Sequence, residues 1–111
     1  MSAAVQSWIE RASGHAGVWA CGARLADRSF LARTCSTDIA EAQVAQALRE
    51  IWEAMVSLQQ NHLPVQHLRW SLGTAQFRCV VRPGGVMGAL LVAKESADEP
   101  AIEQLLAEFN P

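Results

Sequence analysis

The sequence predicts an α+β domain with five antiparallel strands and the element order α-β-β-α-β-β-β-α. Three stretches carry that reading. Residues 68–81, LRWSLGTAQFRCVV, alternate apolar and polar side chains on both sides of Gly73-Thr74. Period two marks half-buried strands, and a glycine at the first central position suits a two-residue II′ hairpin turn. Residues 38–61 place Val44, Leu48, Ile51, Met55 and Leu58 at helical spacing. Residues 86–94 are apolar on both faces, as expected of a strand in the middle of a sheet.

The elements follow in order. Residues 3–13 bring Val5, Trp8, Ile9 and Ala12 to one helical face, with Gly14 as the stop. Residues 16–26 alternate as a strand, with Trp19, Cys21, Ala23 and Leu25 on one face. A two-residue turn at Asp27-Arg28 into a strand over 29–35 would put Phe30, Ala32 and Thr34 on that same face. Asp38 and Glu41 read as a capping box for the long helix, which Leu63-Pro64 ends. The hairpin 66–72 and 75–82 pairs Leu72 with Ala75, Trp70 with Phe77, and Arg69 with Arg78. The turn Arg82-Pro83-Gly84-Gly85 leads to the fifth strand. Ser96 to Glu99 form a second capping box, opening a helix that buries Ile102, Leu105, Leu106 and Phe109.

With 111 residues the chain reads as one domain, 1–111, small enough to gain from burying more surface by self-association. Half the residues are hydrophobic and 18% are charged, which argues against disorder. A net charge of −2 and a pI near 5.9 give no reason to expect nucleic acid. No signal peptide, myristoylation glycine or membrane-spanning run is read, so no direct membrane insertion is expected. Three cysteines without a CxxC pair are expected as reduced thiols of a cytoplasmic protein.

The long helix is apolar beyond its core stripe. Ala47 and Ala54 widen the arc on one shoulder, and Ala45, Trp52 and Val56 widen it on the other. At about 100° per residue the arc spans about 200°, whereas packing on one sheet takes roughly 100°. The surplus is read as a second packing surface, in preference to a helix covered by its own loops.

The element order, together with GVWACGARLADRSFLAR, the long helix after TDIAEAQ, and LRWSLGTAQFRCVVRPGGVMGALLVA, resembles the Roadblock/dynein-light-chain domain, a profilin-like fold. The likeness covers essentially the whole chain. The first turn, Asp27-Arg28-Ser29, departs from the acidic-glycine turn common in such domains. The resemblance implies a single five-stranded antiparallel sheet with the long helix on one face and the two terminal helices on the other. It also implies a non-enzymatic platform, dimerising through third strands and long helices, that serves Ras-like GTPases or motor and membrane-signalling complexes.

On this reading the dimer interface comprises Ala47, Ile51, Trp52, Ala54, Met55 and Val56 of the helix with Leu68, Arg69 and Trp70 of the third strand. Strand 66–72 would be a sheet edge with few guards against pairing. Arg69 and Arg78 repel if directly opposite, so an anionic partner is expected. Two answers stand. They pair with the carboxylates of 95–111, or a dimer gathers them into a basic patch for an acidic protein partner.

No catalytic, cofactor or metal site is expected. His15, His62 and His67 are scattered without metal spacing, and no Ser/His/Asp or Cys/His set can be argued. Cys21, Cys35 and Cys79 sit on strands; Cys21 and Cys35 would share a face only with a three-residue first turn. The rival reading is a PAS- or profilin-like sensor holding a small ligand between sheet and helix. The uninterrupted long helix and the bulk of Trp19, Trp52, Trp70 and Phe77 argue against it.

Overall fold

The computed structural model describes residues 3–63, 65–95 and 98–110. Its elements are α1 (Ala3–Ser13), β1 (Val18–Arg24), β2 (Phe30–Thr34), α2 (Glu41–Gln60), β3 (His67–Leu72), β4 (Ala75–Arg82), β5 (Val86–Ala93) and α3 (Glu99–Ala107). The predicted order is the observed one. The strands form one antiparallel sheet in the order β2-β1-β5-β4-β3. The all-apolar β5 is its centre and is buried on both faces.

The two faces carry separate cores. Under α1 and α3 lie Val5, Trp8, Ile9, Ile102, Leu106 and Phe109 with Cys21, Ala23, Val80 and Leu90 of the sheet. Trp8 donates its indole N–H to the Leu105 carbonyl at 2.7 Å and meets Phe109 edge-on at 4.8 Å. Under α2 lie Ala20, Val44, Leu48, Ile51, Met55, Phe77 and Met87. Two glycines allow the close approach. A Cβ on Gly22 would sit 2.6 Å from Leu48, and one on Gly88 would sit 2.7 Å from the Phe109 ring.

The β3–β4 hairpin has the predicted register throughout, Leu72 to Ala75, Trp70 to Phe77 and Arg69 to Arg78. Gly73 takes φ +59°, and Thr74 is not left-handed, as a II′ turn requires.

The β1–β2 hairpin differs from expectation by one residue. Arg24 pairs with Phe30, and the Leu25 N–H donates to the Ser29 carbonyl at 2.8 Å, so the loop is Ala26-Asp27-Arg28. Asp27 accepts the Ser29 N–H at 3.0 Å, and Arg28 takes φ 74°. That is a turn followed by a left-handed residue, the usual three-residue hairpin loop. The single-residue slip turns Phe30 and Ala32 toward α2, not toward the face of Leu25. A bulge at Trp19 moves that residue as well. Val18 pairs with Val92 and Ala20 with Leu91, so Trp19 packs toward α2 while Cys21, Ala23 and Leu25 lie opposite.

Helix starts also shift. Ala40, not Asp38, is the N-cap of α2, and its N–H donates to Gln43 Oε1 at 3.0 Å. Asp98 caps α3, accepting the Ala101 N–H at 3.3 Å. The proposed start at Ser96-Ala97 lies outside the described residues. α2 ends in a Schellman arrangement, with His62 at φ 62° and the Leu63 N–H on the Leu58 carbonyl at 2.9 Å.

Candidate protein interface

β3 is an edge strand, hydrogen-bonded within the sheet to β4. Its even residues share the α2 face with Phe77 and Cys79. Leu68 is half-buried there, but Trp70 is 37% and Leu72 46% exposed. Among the described residues these two and Leu63 are the exposed large hydrophobics. They stay exposed because α2 lies across β1 and β2 and leaves the β3 end of the face uncovered. An apolar groove of about 160 Å³ runs between helix and strand, lined by Ile39, Val44, Ala47, Leu72, Phe77 and Leu91, with Gln43 at its rim.

The helix residues expected at an interface divide three ways. Ile51 and Met55 are 1% and 0% exposed and belong to the core, because they point straight at the sheet. Ala47 is half-buried on the shoulder beside β3, and Ala54 is two turns further along that shoulder. Trp52 and Val56 lie on the opposite shoulder, five residues from Ala47 being roughly 140° round the helix. The Trp52 ring there supports the Arg24 guanidinium, 4.0 Å above its centroid, and Arg24 donates to the Gly85 carbonyl. Burial lowers the Arg24 pKa, with Arg28 adding to the effect. Trp52 is therefore a packing residue of its own domain, away from β3.

The arginine pair is met from within the domain. Arg78 is 2% exposed and donates to Glu99 at 3.0 and 2.9 Å and to Glu103 at 2.5 Å. Arg69 lies above the same carboxylates at 4.0 and 3.9 Å, its side chain 60% exposed. Arg78 is thus closed to any partner, whereas Arg69 keeps an open face. Four residues further along β4, Arg82 donates to the Phe109 and Leu106 carbonyls at 2.9 and 3.2 Å, so β4 arginines hold both ends of α3.

Sequence reasoning missed Leu72, Leu63 and Ile39 as surface or groove residues. Leu72 continues the alternation of Leu68 and Trp70 and could have been included. Leu63 lies past the end of the helical segment, and Ile39 lies in its first turn but off the apolar stripe, so neither gave a signal.

Other groups have local roles. His15 Nδ1 accepts the Gly17 N–H at 3.2 Å. Cys21 and Cys79 are buried thiols, pushed up to about 12 by burial, and Cys35 is exposed. Among the described residues no group of three or more His, Cys, Asp or Glu could hold a metal ion, and no helix is long and apolar enough to cross a membrane.

A five-stranded antiparallel sheet, one long helix on one face and two terminal helices on the other define a Roadblock-like fold. Solved structures share it. Myxococcus xanthus MglB superposes with a TM-score of 0.69 at 9% identity, over 95% of this chain and 84% of that one. The Roadblock/LC7 domain from Streptomyces avermitilis gives 0.63 at 13% identity, over 96% and 88%. No protein-family model and no curated protein sequence matches the chain.

Proposed function

We propose that this protein is a non-enzymatic, cytoplasmic homodimer that acts as a scaffold or regulator, either of a small Ras-like GTPase or within a signalling or motility complex. The observation that carries the reading is the unguarded apolar edge of β3 beside the uncovered shoulder of α2. Open backbone donors and acceptors along the β3 edge, with Trp70 and Leu72 exposed beside them, are the chemistry of strand addition. The groove along Ala47 offers a second copy further apolar surface on the same side. The Roadblock-like fold supports a platform role, since the resemblance implies protein partners. On a sensor, the space between sheet and helix would hold a ligand; here Leu48, Ile51, Met55, Phe77 and Met87 occupy it.

Light scattering at micromolar concentration tests the assembly. The expected mass is twice the 12.1 kDa of the chain, falling to a single chain in Trp70→Lys. A monomeric wild type would overturn the dimer. Capture of purified Ras-like GTPases of the native host, loaded with GDP or a GTP analogue, tests the partner. Preference for one nucleotide state supports regulation, and failure with every such GTPase removes it.

A further inference from the structure

We propose that two copies of the chain join through β3 about a two-fold axis at Trp70, so that Leu68 faces the second copy's Leu72 and Arg69 faces its Ser71. The proposal rests on the dimer reading above and adds its register.

Backbone direction comes first. The Val81 N–H donates to the Gln66 carbonyl at 2.8 Å, which makes 66 and 81 a hydrogen-bonded pair. Such pairs alternate along an antiparallel ladder, so Leu68, Trp70 and Leu72 also spend their backbone groups on β4. The Lys94 N–H on the Thr74 carbonyl, at 2.9 Å, sets the same parity from the β5 side. His67, Arg69 and Ser71 therefore turn their N–H and C=O groups to the open edge.

An antiparallel two-fold must match outward groups with outward groups, so its axis passes through a residue and not between two. That leaves a choice among the residues of β3. An axis at Arg69 would set two arginines opposite each other, above an Arg78 in each copy. An axis at Leu68 would put Trp70 against Gln66, and an axis at Ser71 would put Leu68 against Thr74 of the turn. An axis at Leu72 would put Trp70 against Thr74. An axis at Ser71 would still pair Trp70 with Leu72, so only the axis at Trp70 gives all three apolar residues of the strand, half-buried Leu68 as well as exposed Trp70 and Leu72, an apolar mate. The stretch Leu68-Arg69-Trp70-Ser71-Leu72 is apolar-polar-apolar-polar-apolar about its centre, which is what a strand needs to complement itself. On the α2 face it makes a continuous row beside the groove at Leu72. On the other face Arg69 stays above Glu99 and Glu103, with a neutral Ser71 across the axis.

Trp70 and its mate would form a non-hydrogen-bonded pair, with Cα atoms about 4.5 Å apart, within the reach of a disulfide. In a Cys35→Ser background, Trp70→Cys should cross-link to a covalent dimer at least ten-fold faster than Arg69→Cys or Ser71→Cys alone. Because Trp70→Cys removes the central side chain, Arg69→Cys protein is also mixed with Ser71→Cys protein. That mixture should yield the hetero-linked product in preference to either self-linked one. Self-linking that is fastest at position 69 or 71 overturns the register. A dimer by light scattering that links at none of these positions overturns it too, while leaving the dimer standing. A wild-type monomer by light scattering overturns both.

Discussion

The two edge strands of the sheet meet their surroundings differently. β2 is five residues long and lies under α2; Arg33 points outward from it, and its Phe30 is covered by the Arg49 guanidinium at 5.3 Å. β3 is six residues long, outlies the helix and leaves Trp70 and Leu72 in the open. Edge strands that must not pair carry charge, shortness or a cover. β2 has a charge in Arg33 and a cover in α2, whereas β3 has the single charge of Arg69. The difference leaves β3 as the edge open to pairing and β2 closed off within its own domain. It also requires the β3 side to be held down firmly enough to present a fixed surface.

That anchoring gives the largest expected effect. Glu99→Ala with Glu103→Ala leaves the Arg78 guanidinium, 3% exposed, without its carboxylates. Breaking a buried pair from one side costs about 3 kcal/mol or more. The urea midpoint should fall accordingly, and adding Arg78→Met should recover much of the loss. Arg69→Ala should cost under about 1 kcal/mol, because its own contacts are exposed and long. Equal losses for Arg69 and Arg78 would break the claim that the β3 side hangs on the buried arginine.

The same two sides show why one half of the fold was more legible than the other. In the β3–β4 hairpin the alternation runs unbroken into Gly73-Thr74, and a glycine at the first turn position fixes a two-residue loop, so register and the Arg69–Arg78 apposition follow. Ala26-Asp27-Arg28 contains no glycine, and Arg28 enters the left-handed region with an Asp27–Ser29 bond as support, a choice that composition does not encode. The acidic segment 95–111 was readable as a mate for the arginines because it carries five carboxylates and no basic residue, a property that does not depend on how the chain folds. The width of the α2 apolar arc was also readable, but not which shoulder faces which edge. That depends on how the helix lies across the sheet, which brings Ala47 beside Leu72 and Trp52 under Arg24.

Trp52 accordingly supplies the middle effect, on the β2 side. Trp52→Ala removes a half-buried indole and its cation–π contact, at a cost of about 2 kcal/mol. Thermal or urea unfolding should register that loss, while light scattering should show the wild-type mass at concentrations well above the dissociation constant. Loss of the dimer without loss of protomer stability would return Trp52 to the interface and erase the distinction between the shoulders.

The smallest effect comes from the thiols, which report on the two sides separately. Cys35 lies exposed just past β2, whereas Cys79 is buried in β4 beside Leu68 of the edge strand. A thiol reagent at pH 8 should modify Cys35 within the mixing time and reach Cys79 only when the β3 side opens. If a second copy covers that side, Cys79 labelling should slow as protein concentration rises, and Cys35 labelling should not. Alkaline pH probes the same burial. Desolvation raises Cys79 from 9.0 to about 12, and burial raises Cys21 to a similar value. The folded state thus keeps protons that the unfolded chain gives up, so the thiols' contribution is complete below about pH 9 and declines as pH climbs toward 12. Cys79→Ala should flatten that decline between pH 9 and 10.5 in urea titrations, leaving the slope below pH 8 unchanged. An unaltered alkaline slope, or Cys79 labelling as fast as Cys35, would mean that the β3 side is open to solvent well beneath its edge.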